Sequence, residues 1–170
     1  MSRIDQLIKE NKVSAMLLLV IRFYLGWKWL DAGWGKLTSD KAFDASGYLK
    51  NAVENSSGAK PTVQGWWGDF VGSTVLPNVN VINILIPWGE LLVGISLILG
   101  LFTVFGACMG GILNFTFFLS GSISSIPQML LCAFVIIYAG RNSGYFGLGN
   151  LYRHYMPKKS MDKQQQLNVS

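Results

Sequence analysis

The chain contains apolar segments long enough to cross a bilayer, and each of the first two carries a charged residue near its middle. Arg22 interrupts VSAMLLLVIRFYLGWKWLDAGW, and Glu90 interrupts VNVINILIPWGELLVGISLILGLF. A charge at the centre of a spanning helix costs about 2.5–3.5 kcal/mol on insertion scales, so such residues face a protein interior and mark function. The two charges have opposite sign and, by their place in the segments, similar depth. This pattern predicts an Arg22–Glu90 ion pair inside a bundle of antiparallel helices.

Charge distribution supports an integral membrane protein. Charged residues make up 14% of the 170-residue chain, against roughly 25% in soluble domains. Between residues 79 and 140 Glu90 is the sole charged residue. Four spans are expected, at about 13–35, 79–101, 103–120 and 125–140. The fold class is therefore all-α: an integral membrane four-helix bundle with a long extracytoplasmic loop between the first two helices. Residues 1–157 form a single domain, and the polar segment 158–170 is expected to be a disordered cytoplasmic tail. The basic start and apolar run resemble a secretion signal. The run is long enough to span and Arg22 interrupts it, so it is expected to be retained.

Basic residues set the expected topology. Arg3, Lys9, Lys12, Arg141, Arg153, Lys158, Lys159 and Lys163 flank the termini, and Lys36, Lys41, Lys50 and Lys60 lie in the first loop. The excess at the termini places both in the cytoplasm, in a multi-pass cell-membrane protein. These residues flank spans and form no stripe with interleaved aromatics, so a nucleic-acid partner is not expected. In the loop, AFDASGYLKNAVEN has loose helical periodicity. Trp66 and Trp67 are expected to lie on the outer surface and cap the bundle.

On a helical wheel Arg22, Gly26, Trp29, Gly33 and Lys36 share one face of the first span, and glycines there allow close helix approach. In the second span Asn83, Glu90 and Gly94 form a stripe, and Pro87 frees the backbone carbonyl of Asn83. With Asn114 in the third span and Gln128 in the fourth, Arg22 and Glu90 complete a set of one polar residue per helix. A cavity toward the outer half of the bundle is expected, lined by Arg22, Trp29, Gly33, Lys36, Asn83 and Glu90. The alternative is that the polar residues only fix helix packing. Cys108 and Cys132 read as small apolar fillers. His154 is the single histidine and there is no CxxC, so no haem or metal motif is present within the chain.

Three stretches resemble the DoxX/DoxD family of small membrane proteins: RFYLGWKWLDAGWGKL, FDASGYL and IPWGELLVGISLILGLFT. The resemblance continues to YAGRNSGYFGLGN. It implies a four-helix membrane bundle. One branch of the family is the membrane subunit of a thiosulfate:quinone oxidoreductase, which acts with a separate extracytoplasmic redox subunit; many other members have no assigned activity. In a quinone-linked reading, Arg22 and Glu90 are the catalytic pair and Trp29, Trp34 and Tyr24 flank a diffusible quinone. Lys36, Asn83, Asn114 and Gln128 contribute to ligand binding. The alternative is a non-enzymatic membrane module that binds or carries a lipid or small molecule, or scaffolds a redox partner. The sequence leaves the oligomeric state open.

Overall fold

The computed structural model describes residues 3–155, and every regular element among them is helical. A short helix α1 (Arg3–Glu10) precedes α2 (Lys12–Thr38), which is 27 residues long. Asn11 starts α2 by accepting the Val13 amide on its side chain at 2.8 Å, a side-chain cap for an otherwise orphan donor. After a connecting segment come α3 (Ser46–Glu54) and α4 (Gly65–Phe70). A π-helical turn (Val71–Val75) and a 3-10 turn (Leu76–Asn78) join α4 to α5 (Val79–Leu99). Together Gly65–Leu99 form a rod of 35 residues. Then follow α6 (Thr103–Leu119), α7 (Ile126–Ala139), a 3-10 turn (Gly140–Gly144) and α8 (Leu148–Tyr155).

Three helical stretches among the described residues are long and apolar enough to cross a membrane: Lys12–Thr38, Gly65–Leu99 and Ile126–Leu151. The apolar helix Thr103–Leu119 is shorter. Helix α5 matches the expected second span of 79–101, and the helical rod continues N-terminally of it to Gly65, so that Trp66 and Trp67 begin the rod. Residues 158–170, expected to be a polar tail, lie outside the described residues.

The closest packing is between α2 and α5, and glycines set its register. A Cβ at Gly26 would lie 2.8 Å from Ile98, one at Gly94 would lie 2.5 Å from the Leu30 amide nitrogen, and one at Gly33 would lie 2.6 Å from that of Leu91. Backbones this close admit no side chain between them. Helix α5 packs on α6, α6 on α7, and α7 on α2. Leu25, Trp29, Val93, Leu97, Ala107, Met129, Ala133 and Ile136 form the buried core between them. A second cluster joins Ala45 and Leu49 to Val71, with Phe43, Tyr48 and Trp67 packed against it. It ties α3 to the start of the rod, and the Tyr48 hydroxyl donates to the Phe117 carbonyl at 3.0 Å.

Candidate functional site

The α2–α5 register decides which polar groups meet. Gly26 opposes Leu97 and Ile98, Gly94 opposes Leu30, and Gly33 opposes Leu91. Carried along both helices, this places Glu90 level with the C-terminal end of α2. Its Oε2 accepts a hydrogen bond from Lys36 Nζ at 2.6 Å. Glu90 is 2% exposed while the Lys36 side chain is 27% exposed, so the pair runs from the interior to the loop-side surface. Lys36 Nζ also lies 5.7 Å from the centre of the Phe43 ring, within cation–π range.

The expected Arg22–Glu90 pair does not form. Arg22 is buried, but its Nη1 donates to the Ser143 carbonyl at 3.0 Å, in the 3-10 turn after α7. Its guanidinium lies against Gly100, at the end of α5. Glu90 and Gly100 are ten positions apart on one helix, about 15 Å at a rise of 1.5 Å per residue. The two charges occupy opposite ends of the bundle because the glycine contacts fix a stagger that the apparent centres of the two apolar runs conceal.

The expected cavity on this face is likewise not built as expected. The positions of Gly33 and Gly94, which were to leave space, are filled by the facing backbone. Lys36, Asn83 and Glu90 do gather at the loop side. Asn83 Oδ1 accepts the Ala45 amide at 2.8 Å, and its Nδ2 donates to Asp44 at 3.3 Å, so Asn83 pins the loop that crosses beside the Lys36–Glu90 pair. Asp44 also accepts the Ser46 amide at 2.9 Å and the Ser46 hydroxyl at 2.6 Å. These hydrogen bonds from Ser46, reinforced by Asn83, hold the Asp44 carboxyl below the usual carboxylate range.

Trp29 lies in the apolar core with its ring against Gly110, where a Cβ would come within 2.8 Å of Nε1. That indole N–H is buried without an acceptor, and so is Nδ2 of Asn114, one turn further along α6. Trp34 is 59% exposed and Gln128 is also exposed, so neither faces the interior expected of it. Of the expected set of one polar residue per helix, Arg22, Glu90 and Asn114 are buried. Cys108 and Cys132 are free and half-buried. Among the described residues no cluster of His, Cys, Asp or Glu has the make-up to hold a metal ion.

Sequence reasoning missed Ser143 and Thr103. Thr103 is the first residue of α6, directly after the tight turn from α5, and its hydroxyl is buried without a partner. Polar residues in Arg141–Gly144, immediately after an apolar span, were the available signal for this second polar centre.

The model of the DoxX family matches residues 17–122. The chain belongs to the DoxX family. The matched region runs from α2 through the turn after α6, so it includes Arg22, Lys36, Glu90 and Asn114 but ends before Ser143. No curated protein and no solved structure matches the chain. This DoxX protein is a membrane protein, with apolar helices suited to a lipid bilayer.

Proposed function

We propose that this DoxX protein is the membrane subunit of a quinone-linked redox system, with Glu90 as the group that delivers protons to the quinone. All four apolar helices cross the bilayer as a four-helix bundle in this reading. Both termini are cytoplasmic, and the segment from Ser39 to Gln64 is extracytoplasmic. The supporting observation is the buried carboxylate of Glu90, joined to the half-exposed Lys36 at 2.6 Å. A carboxylate inside a membrane, with a single ammonium leading to the surface, is suited to taking up and releasing a proton.

Reduction of a quinone to a quinol takes two electrons and two protons. In this reading the electrons come from a donor held by an extracytoplasmic partner, with thiosulfate as one candidate donor. Trp29 Nε1 and Asn114 Nδ2 are both buried donors without acceptors. A carbonyl oxygen is the chemistry that would satisfy them. Ring access requires the Trp29 side chain to leave its place on Gly110.

A second reading is favoured by the backbone-close packing at Gly33 and Gly94. In it the Lys36–Glu90 pair locks the α2–α5 register, and the protein scaffolds a partner or binds a lipid or small molecule without redox chemistry. Binding of a soluble quinone analogue to the purified protein separates the two. Redox function is expected to show saturable binding that Glu90→Gln reduces at least about tenfold, as for loss of a charged hydrogen bond, while Trp34→Ala leaves it intact. An absence of quinone binding, or binding unchanged in Glu90→Gln, favours the scaffold.

A further inference from the structure

Arg22 is 1% exposed, and among the described residues no carboxylate pairs with it. Its one hydrogen bond is to a neutral carbonyl, and its Nε has no partner. The Phe23 ring, 5.9 Å from Cζ, is the other favourable neighbour. A buried guanidinium so thinly compensated favours an anion nearby, because desolvation of a charge is offset only by an opposite charge or by several hydrogen bonds.

Such an anion has a place to bind. Arg22 stands behind Gly100, where an added Cβ would lie 2.7 Å from Nη1. Gly100 lines a cleft of about 540 Å³ together with Thr103, Gly144, Arg141 and Asn150. Among the described residues no acidic one lines this cleft. Thr103 is 6% exposed and its Oγ1 has no hydrogen-bond partner. Helix α6 begins at Thr103 with no side-chain cap, its preceding residue Phe102 held at φ 50°. The first helical bond made by the turn is from the Gly106 amide to the Phe102 carbonyl. The amides of residues 103–105 are therefore orphan donors at the positive end of a 17-residue helix.

We propose that this cleft binds a phosphate-class oxyanion, held by the open amides of α6, the Thr103 hydroxyl and Arg141, with Arg22 supplying the buried positive charge. A helix start, a hydroxyl and guanidinium groups together match the donor-only demand of a tetrahedral anion. The phosphate is either the headgroup of an anionic phospholipid or dissolved inorganic phosphate. This site is separate from the Lys36–Glu90 pair and does not rest on the quinone reading.

The test uses the full chain, purified in detergent and reconstituted in nanodiscs. In one arm, thermal unfolding is followed against inorganic phosphate, with chloride at equal ionic strength as control. In the other, native mass spectrometry measures retention of phosphatidylglycerol against phosphatidylcholine after delipidation. Saturable stabilisation by phosphate identifies the free anion, and selective retention of phosphatidylglycerol identifies the headgroup. In either case Thr103→Val combined with Arg141→Gln is expected to lower affinity or retention about tenfold or more, as for loss of charge-assisted hydrogen bonds. Lys60→Gln, an exposed loop position away from the cleft, is expected to leave it unchanged. These two changes spare Arg22, whose replacement removes the contact to Ser143. Neither phosphate nor phosphatidylglycerol outperforming its control would overturn the proposal, as would a double variant that binds like the parent.

Discussion

Lys36 meets Glu90 because Gly33, one turn before it, lets the end of α2 lie directly on α5. Removing one member of a buried pair costs about 3–5 kcal/mol when both charges are fully buried. Lys36 retains solvent contact, so Glu90→Ala is expected to destabilise less than that, and less than Gly94→Leu. Gly94 has no tolerance for a side chain, since a Cβ would sit 2.5 Å from the Leu30 backbone. Gly94→Ala is expected to lower stability by about 1–3 kcal/mol, the range for overpacking a close interface. Unfolding of the detergent-solubilised protein in graded denaturant measures both, and a neutral Gly94→Ala would show that the two helices part easily. The same contacts explain why Arg22 ended at the other pole. Neither charge selected its partner; the stagger of the glycines did.

At the scale of elements, the loop that crosses beside Lys36 is held by a small polar network. Asn83 takes the Ala45 amide, and Asp44 takes both donors of Ser46. Because the Asp44 carboxyl is held below its ordinary range, its contribution to loop stability is present at pH values above the ordinary aspartate pKa. It is lost as pH falls through the lower, folded-state value. Protease nicking between Ser39 and Ala45 is therefore expected to rise on acidification below about pH 4, the ordinary aspartate range. Asp44→Asn is expected to show that faster nicking already at neutral pH and to flatten the pH response. A variant with the parent's pH profile would remove Asp44 as the determinant. Asn83→Ala is expected to loosen the same loop, since it strips the Ala45 amide of its acceptor, at a cost of about 1–3 kcal/mol if that amide stays buried.

For the whole molecule, the two polar centres lie at opposite ends of an apolar core. One, at Lys36–Glu90, faces the α3 side; the other, around Arg22, Thr103 and Ser143, faces the α8 side. Orientation in the bilayer then decides which compartment each serves. In the proposed orientation, with the basic terminal segments cytoplasmic, the Arg22 centre would lie on the cytoplasmic side and the Lys36–Glu90 pair would open outward. Cysteine labelling in intact cells checks this. An impermeant reagent is expected to label Ser57→Cys and to spare Ser160→Cys; the reverse pattern would invert the assignment of both centres.

The helical, membrane-embedded character of the chain was legible in its sequence, because apolar runs of spanning length and flanking lysines and arginines are properties of composition and order alone. So were the burial of Arg22 and Glu90 and the close approach at the glycine positions, since a charge in an apolar run turns inward and a glycine stripe lets backbones meet. Periodicity also placed Asn83 on the face of α5 that carries Glu90. What it did not contain was the relative stagger of two helices far apart in the chain. A shift of a few residues changes no local propensity, yet it exchanges Arg22 for Lys36 as the neighbour of Glu90. That stagger is set by how closely Gly26, Gly33 and Gly94 let two backbones approach, which only the packed structure decides. The same holds for Ser143 and Thr103. They are distant in sequence from Arg22 and from each other, and only the folding of α7 and its 3-10 turn back against the α5–α6 turn brings Ser143 onto Arg22 and Gly144 beside Thr103.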